Sequence, residues 1–516
     1  MKTALPLPAL RSILVLAGVA VGLAGCQLPD ISSRNTSVFM EPSTETRLGQ
    51  AIQRQAAEHP GKSGIFSLQD GQDSFAARML LAQAAERSLD VQYYIWHTDI
   101  SGSLLLTALK RAADRGVRVR LLLDDINTKG LDSLLAELDG HPNVEVRLYN
   151  PFKRPHRIFG YMFDFGRINR RMHNKSFTAD SQATIVGGRN IADQYFGAAT
   201  DRDFIDLDVL AVGPIAEDVS RDFDRYWASE SAYPADLILK PDDDKDPSQH
   251  VSAVASMETT AAAEPYLRAV KDRPFVTKLV SGDLALEWVP TRLISDSPAK
   301  TLGTAEKGTL FWPQLIEAMG PPQHEVDMVS PYFVPTEVAV DSFRKMTQRG
   351  VTVRVLTNSF AATDAAIVHS GYSKWRKKLL EDGVKLYEMK RTAGILRTEA
   401  HLAGSGSSQA SLHAKTFSVD GQRVFIGSLN FDPRSAFLNT ELGVVIHSAP
   451  LAESIEAALA AKGPEGAYQV RLEDGKMQWI ERVDGNEVIH LKEPGTSSFS
   501  RFKIWFFSLM PIDWLL

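Results

Sequence analysis

Two short stretches of the 516-residue chain carry the same reactive side chains in the same order. The first is His173, Lys175 and Asp180, followed by Gly187 and Asn190. The second is His413, Lys415 and Asp420, followed by Gly427, Ser428 and Asn430. Both read H-x-K-x4-D and then G-x-x-N. A given histidine meets that spacing by chance roughly once in 300, so the 12 histidines would give about 0.04 matches, and two are not accidental. Imidazole changes charge near neutral pH: neutral, it can attack phosphorus, and protonated, it can hand a proton to a leaving oxygen. Two imidazoles on opposite sides of one pocket suit phosphodiester chemistry without a metal. Lys175, Lys415, Asn190, Asn430 and Ser428 would hold the nonbridging oxygens as negative charge is redistributed. Asp180 and Asp420 are expected to orient the imidazoles and fix their tautomers.

The elements that must position these groups can be read from the pattern around them. His and Lys two apart share one face of an extended segment, because side chains alternate across a strand. Ser176 to Thr178 and Thr416 to Ser418 continue those strands, and Asp180 and Asp420 fall in the turns before Ala183 to Val186 and Arg423 to Ile426. Upstream, Phe75 to Arg87 has helical periodicity, Leu89 to Trp96 reads as a strand, Leu104 to Arg115 as a helix and Val117 to Leu123 as a strand. The order returns as helix Phe311 to Met319, strand Glu325 to Val334, helix Val338 to Gln348 and strand Val351 to Leu356. Gly116 and Gly350 end matching helices, where a left-handed cap costs glycine little. The expectation is an α/β fold, duplicated, with mixed and largely parallel sheets.

Composition bounds the remaining possibilities. With 44% hydrophobic residues and 57 Lys+Arg against 63 Asp+Glu, the chain is ordinary globular material for two domains. A net charge of −6 argues against a whole-protein grip on nucleic acid, so none is expected as a partner. The single cysteine, Cys26, permits neither an intrachain disulfide nor a cysteine zinc cage, and no metal or cofactor is expected. Lys2 and Arg11 precede an apolar stretch from Ser12 to Gly22, and Leu23-Ala24-Gly25-Cys26 then resembles a bacterial lipobox. That resemblance implies cleavage before Cys26, lipidation there, and a periplasm-facing envelope lipoprotein. Gln27, standing where Asp would signal retention, points to the outer rather than the inner membrane.

The expected organisation is a signal peptide over 1–25, a tether over 26–63, a first domain over 64–239, a linker or insertion over 240–265, and a second domain over 266–492. Residues 493–516 form an aromatic segment that either lies at a membrane interface or packs as a tail. Lys153 to Lys175 interleaves basic and aromatic residues beside the first motif, suiting anionic headgroups or simply a solvated loop. Lys374 to Lys378 reads as an exposed basic face.

At the duplicated motif the chain resembles the phospholipase D superfamily, from about Phe66 to Ile489. The resemblance implies a pseudo-twofold pair of α/β sandwich domains sharing one site, and a covalent phosphohistidine. It also implies His173 as nucleophile and His413 as acid and then base, an order on which the sequence itself is symmetric. The segments Gly187 to Tyr195, Gly383 to Glu388 and Asn439-Thr440-Glu441, with the aromatic C-terminus, are similar to bacterial cardiolipin synthases of the C-type branch. Phosphatidylglycerol and phosphatidylethanolamine are then the implied substrates, at a membrane surface. Asn439 and Glu441 stand either near the rim of the site or simply at a strand start. One departure is Gly188, where many superfamily members have the Ser that the second half keeps as Ser428. Competing readings are hydrolysis to phosphatidic acid by the same machinery, a metal-independent nuclease, and a noncatalytic envelope scaffold.

Overall fold

The computed structural model describes residues 28–154, 157–199, 202–239, 252, 255–281, 283–363, 365–391, 409–483 and 485–508. The lipobox with Cys26 lies outside them, as do residues 240–251 of the expected linker. Among the described residues no helix is long and apolar enough to cross a membrane.

Each half is built on one twisted sheet with helices packed against it. Among the described residues the first sheet has nine strands and the second ten. In the first, Ser88–Tyr93, Arg118–Asp124 and Val144–Tyr149 run parallel, joined through helices Ile100–Asp114 and Asp132–Asp139. In the second, Glu325–Val329, Thr352–Asn358 and Lys385–Met389 do the same, through Glu337–Gln348 and Ala366–Glu381. The hairpins that follow the motifs, Ser176–Ala179 with Ala183–Gly187 and Thr416–Val419 with Arg423–Gly427, add antiparallel strands beside these trios. The sheets are therefore mixed, as expected, but not largely parallel. Within each sheet parallel pairing is confined to the central trio, because a two-residue-scale turn such as that at Asp180 can only return the chain antiparallel. Gly116 and Gly350 adopt the left-handed cap, with φ of 94° and 87°.

The halves meet along a shared apolar layer. Ile65, Val186, Val209 and Ala211 from the first sheet pack with Val424, Ile426, Val444 and Ile446 from the second. Each Val or Ile of this layer contributes about 1.5–3 kcal/mol when fully buried, which fixes the two sheets as one body around whatever lies between them.

Two expected boundaries need correction. Helices Ala263–Lys271 and Pro274–Ser281 place Tyr266, Val270 and Phe275 in the first half's core, and Glu287–Val289 pairs with Ser63–Ile65 in the first sheet. The chain then crosses at Pro290, and Thr291–Ser295 pairs with Leu442–Ile446 in the second sheet. The second domain thus begins near residue 291 rather than 266. The expected tether is also docked. Arg34 donates to the carbonyls of Ser229 (2.6 Å) and Ala232 (3.0 Å), and Arg147, Arg120 and Arg118 donate to the carbonyls of Asn35, Ser37 and Val38. A polar Ser- and Thr-rich stretch reads as a linker because its composition offers no apolar stripe. What holds it is the row of arginines beneath its backbone.

Candidate active site

Both motifs begin where a strand of one half touches the other half. His173 follows Met172, which bridges to Thr440, and the His173 amide donates to the Thr440 carbonyl at 2.9 Å. His413 follows Gln409–Leu412, which pairs in parallel with Arg202–Ile205, and its amide donates to the Ile205 carbonyl at 2.8 Å. The two contacts are related by the pseudo-twofold, and each delivers an acid. Nδ1 of His173 lies 2.8 Å from Oε2 of Glu441, and Nδ1 of His413 lies 2.6 Å from Oδ2 of Asp206. Each histidine is therefore oriented by a carboxylate from the opposite half.

Asp180 and Asp420 do not perform the orienting role expected of them. Asp180 accepts from the backbone amides of Glu86, Arg87 and Ser88, and Asp420 from those of Gln323, His324 and Glu325. Both have positive φ, 52° and 54°, in the turns at the far ends of the motif strands. The strand that carries His and Lys toward the other half necessarily carries the Asp away from it. These acids hold the start of the neighbouring central strand instead.

The lysines are placed alike. Nζ of Lys175 donates to the carbonyl of His173 and Nζ of Lys415 to that of His413, both at 2.5 Å. Nζ of Lys415 also lies 3.0 Å from Nδ1 of His413. Tyr94 meets the His173 ring edge-on at 4.9 Å, and Tyr195 does the same to His413 at 5.0 Å. Asn190 is buried, its Nδ2 donating to the Tyr195 hydroxyl and its Oδ1 accepting from Ile95. Asn430 is also buried, and its side-chain oxygen has no hydrogen-bond partner among the described residues.

Ser428 does not face an open site. Its hydroxyl donates to Glu441 and accepts from the amide of Leu442, so it holds the acid that holds His173. This accounts for the departure at Gly188. A Cβ there would stand 2.2 Å from Oδ1 of Asp206, so the shorter acid fills the room that a side chain at 188 would need. The two halves solve the same problem with Ser and Glu on one side and Gly and Asp on the other.

Burial shapes the electrostatics. It pushes Lys175 down to about 7 and Glu441 up to about 7. Burial, reinforced by Lys175, Lys415 and His413, holds His173 well below 6.5. His413 is also lowered, by burial and Lys415, but Asp206 works against the shift. Burial pushes Asp206 up, yet His413, Lys415 and Arg189 outweigh it and keep it below its ordinary value. That His173 feels the charges of Lys415 and His413 places both motifs in one electrostatic environment. Buried cations of this kind favour an anion as their partner.

Asp206 carries no signal in its local sequence, and Glu441 only the ambiguous one of a strand start. The sole pointer was their equivalent place, just before the strands Asp208–Val212 and Leu442–His447. The basic residues of Lys153 to Lys175 are largely turned inward: Arg154 pairs with Asp125 and Asp132, Arg157 with Asp125, Arg167 with Asp164 and Arg171 with Asp124. Arg376, within the stretch read as an exposed basic face, is buried against Glu388 and Glu493.

Comparison with known proteins agrees with this architecture. The family described as "Cardiolipin synthase, PLD-like domain" matches residues 79–227 and 315–462, one copy in each half. Cardiolipin synthase C of Escherichia coli is 50% identical over 473 residues, covering 91% of this chain and 100% of that protein. An uncharacterized protein of Helicobacter pylori is 30% identical over 482 residues, covering 91% of this chain and 93% of its own length. Among solved structures, the phosphatidylserine synthase of Haemophilus influenzae shares the fold at 14% identity, with a TM-score of 0.52 over 81% of this chain and 91% of that one. With a duplicated motif, a duplicated sheet and a family match in each half, the chain belongs to the cardiolipin synthase family of phospholipase D-like proteins.

Proposed function

We propose that this protein is a phosphatidyltransferase that makes cardiolipin from two phospholipids through a covalent phosphohistidine. The observation that carries this reading is the pair of buried imidazoles, each held by a carboxylate from the opposite half, beside a buried Lys175 whose pKa is lowered. With Nδ1–H donated to Glu441, the lone pair of His173 lies on Nε2. It attacks the phosphorus of the donor lipid, a P–N bond forms, and the P–O bond to the headgroup alcohol breaks. His413 gives its proton to that alcohol. A hydroxyl of the acceptor's glycerol headgroup then returns a proton to His413 and attacks phosphorus. The P–N bond breaks and His173 is regenerated. Lys175, Lys415 and the Asn190 and Asn430 amides would surround the phosphoryl oxygens, Asn190 after exchanging a present partner.

The electrostatic asymmetry supports His173 as nucleophile. Both imidazoles are lowered, but His173 more deeply, which keeps it neutral, whereas the ionised Asp206 offsets part of the lowering at His413 and makes it the better proton carrier of the two. Donor phosphatidylethanolamine and acceptor phosphatidylglycerol fit the chemistry of a leaving amino alcohol and an attacking glycerol. An N-terminal lipid anchor at Cys26 would keep the site near both.

The test is to incubate the purified protein with both lipids in bilayers and separate the products. Cardiolipin is expected, and it should vanish in His173→Ala and in His413→Ala. Phosphatidic acid without cardiolipin would defeat the synthase reading and leave a hydrolase.

A further inference from the structure

The helix Ser498–Ser508 near the C-terminus leaves its apolar side uncovered. Ile504 is buried, but Phe499, Phe502, Trp505 and Phe506 are 65%, 56%, 56% and 46% exposed. Their rings contact one another, Phe502 lying 5.8 Å from Trp505 and 6.4 Å from Phe506. The helix carries Arg501 and Lys503 and no acid, although the whole chain is acidic.

This helix is held in place. Glu493, five residues before it, is buried with His369 at 2.6 Å and Arg376 at 3.0 Å. Arg376 also pairs with Glu388, which accepts from the Tyr372 hydroxyl and the Trp479 indole. Two residues on, Gly495 packs so tightly that a Cβ there would lie 2.7 Å from Ala361. The next residue along that loop, Ala362, accepts at its carbonyl from the hydroxyl of Ser411, two residues before His413. The anchoring segment thus follows the edge of the second sheet where its parallel strands end and the catalytic strand begins. On the first half, the chain between Tyr149 and His173 leaves the equivalent end of that half's parallel strands with Tyr161, Met162 and Phe165 at 47%, 67% and 40% exposure.

Clustered exposed rings are costly in water and mark an interaction surface. Phe and Trp mixed with Lys and Arg, without acids, match the headgroup boundary of an anionic bilayer, where rings enter the acyl region and cations stay with phosphates. We propose that the aromatic face of Ser498–Ser508, with Tyr161, Met162 and Phe165 as a second contact, docks on a phospholipid bilayer and turns the histidine edge toward it. The purpose of this docking rests on the lipid-substrate reading above; its physics does not.

Vesicles of phosphatidylethanolamine and phosphatidylglycerol with brominated acyl chains test the contact with the full-length protein, since bromine quenches only tryptophans that reach the acyl region. The protein's fluorescence is expected to be quenched, and Trp505→Phe should remove most of that quenching. Equal quenching in Trp505→Phe would overturn the proposal. A variant with Phe499, Phe502, Trp505 and Phe506 all changed to Ser should lose about tenfold or more of its activity on vesicles, yet keep its activity on water-dispersed short-chain lipids. Loss on both substrates would make the helix a structural element, and loss on neither would make it idle; either result overturns the docking. If the unmodified protein made no cardiolipin from any substrate while Trp505 was quenched, the synthase reading would fall and the docking would stand.

Discussion

His173 and Glu441 are 268 positions apart and belong to different halves, yet the ring nitrogen of one lies 2.8 Å from the carboxylate of the other. Asp206 and His413 repeat the relationship in the reverse direction at 2.6 Å. Neither half can orient its own histidine, so the site exists only when both sheets have closed on their shared apolar layer. Pulling the halves apart would free each imidazole to rotate.

Because an imidazole held by a carboxylate loses both orientation and charge support when that acid is neutralised, Asp206→Asn should lower kcat by about 10²- to 10⁴-fold. The sign of its pH effect follows from Asp206 raising the His413 pKa. Without that anion His413 gives up its proton at lower pH, so the alkaline limb of the kcat/KM profile moves to lower pH. A pH–rate series with the variant checks this; a shift to higher pH would contradict it.

The two histidines are expected to differ in what they trap. His413→Ala retains the neutral nucleophile and lacks the proton donor and later base, so a phosphatidyl adduct should accumulate on His173. His173→Ala should form none. Intact-protein mass spectrometry after incubation with donor lipid alone would distinguish them, and an adduct seen only in His173→Ala would reverse the roles.

Residue 188 and residue 428 should not be interchangeable. Gly188→Ser places a Cβ against Asp206 and is expected to push that acid off His413, with activity down by about 100-fold or more. Ser428→Ala leaves room but removes the hydroxyl that links Glu441 to the Leu442 amide. A loss of about 1 kcal/mol of stability and a moderate fall in kcat are expected. Melting curves and initial rates on both variants measure the contrast.

Asp180→Asn should affect the fold far more than the chemistry. The carboxylate holds three backbone amides, so its neutral replacement is expected to cost about 1–3 kcal/mol while the folded protein keeps most of its kcat. Asp420 adds a pH signature. Burial raises its pKa, but the amides of His324, Glu325 and Gln323, with Arg423, outweigh burial and leave it below 3.8. Its stabilisation is therefore complete above the unfolded-chain value and is lost as pH falls through the lower native one. Asp420→Asn should flatten the acid side of a plot of stability against pH.

The sequence by itself determined what depends on neighbours along the chain. Alternation put His and Lys on one face of a strand, glycine after a helix gave the left-handed caps at Gly116 and Gly350, and helix Phe311–Met319 was readable to its ends. The duplicated motif was legible because five residues recur in the same order and at the same spacing within each motif. Tertiary structure alone decided which acids orient the histidines, that the chain changes sheets at Pro290, and that the N-terminal stretch lies on a row of arginines. These choices depend on groups 80 to 268 positions apart, and side-chain periodicity holds no record of such distances. Asp180 illustrates the limit: its spacing from His173 is fixed by the motif, but a strand spanning that interval carries the carboxylate away from the ring, and only the fold says what replaces it.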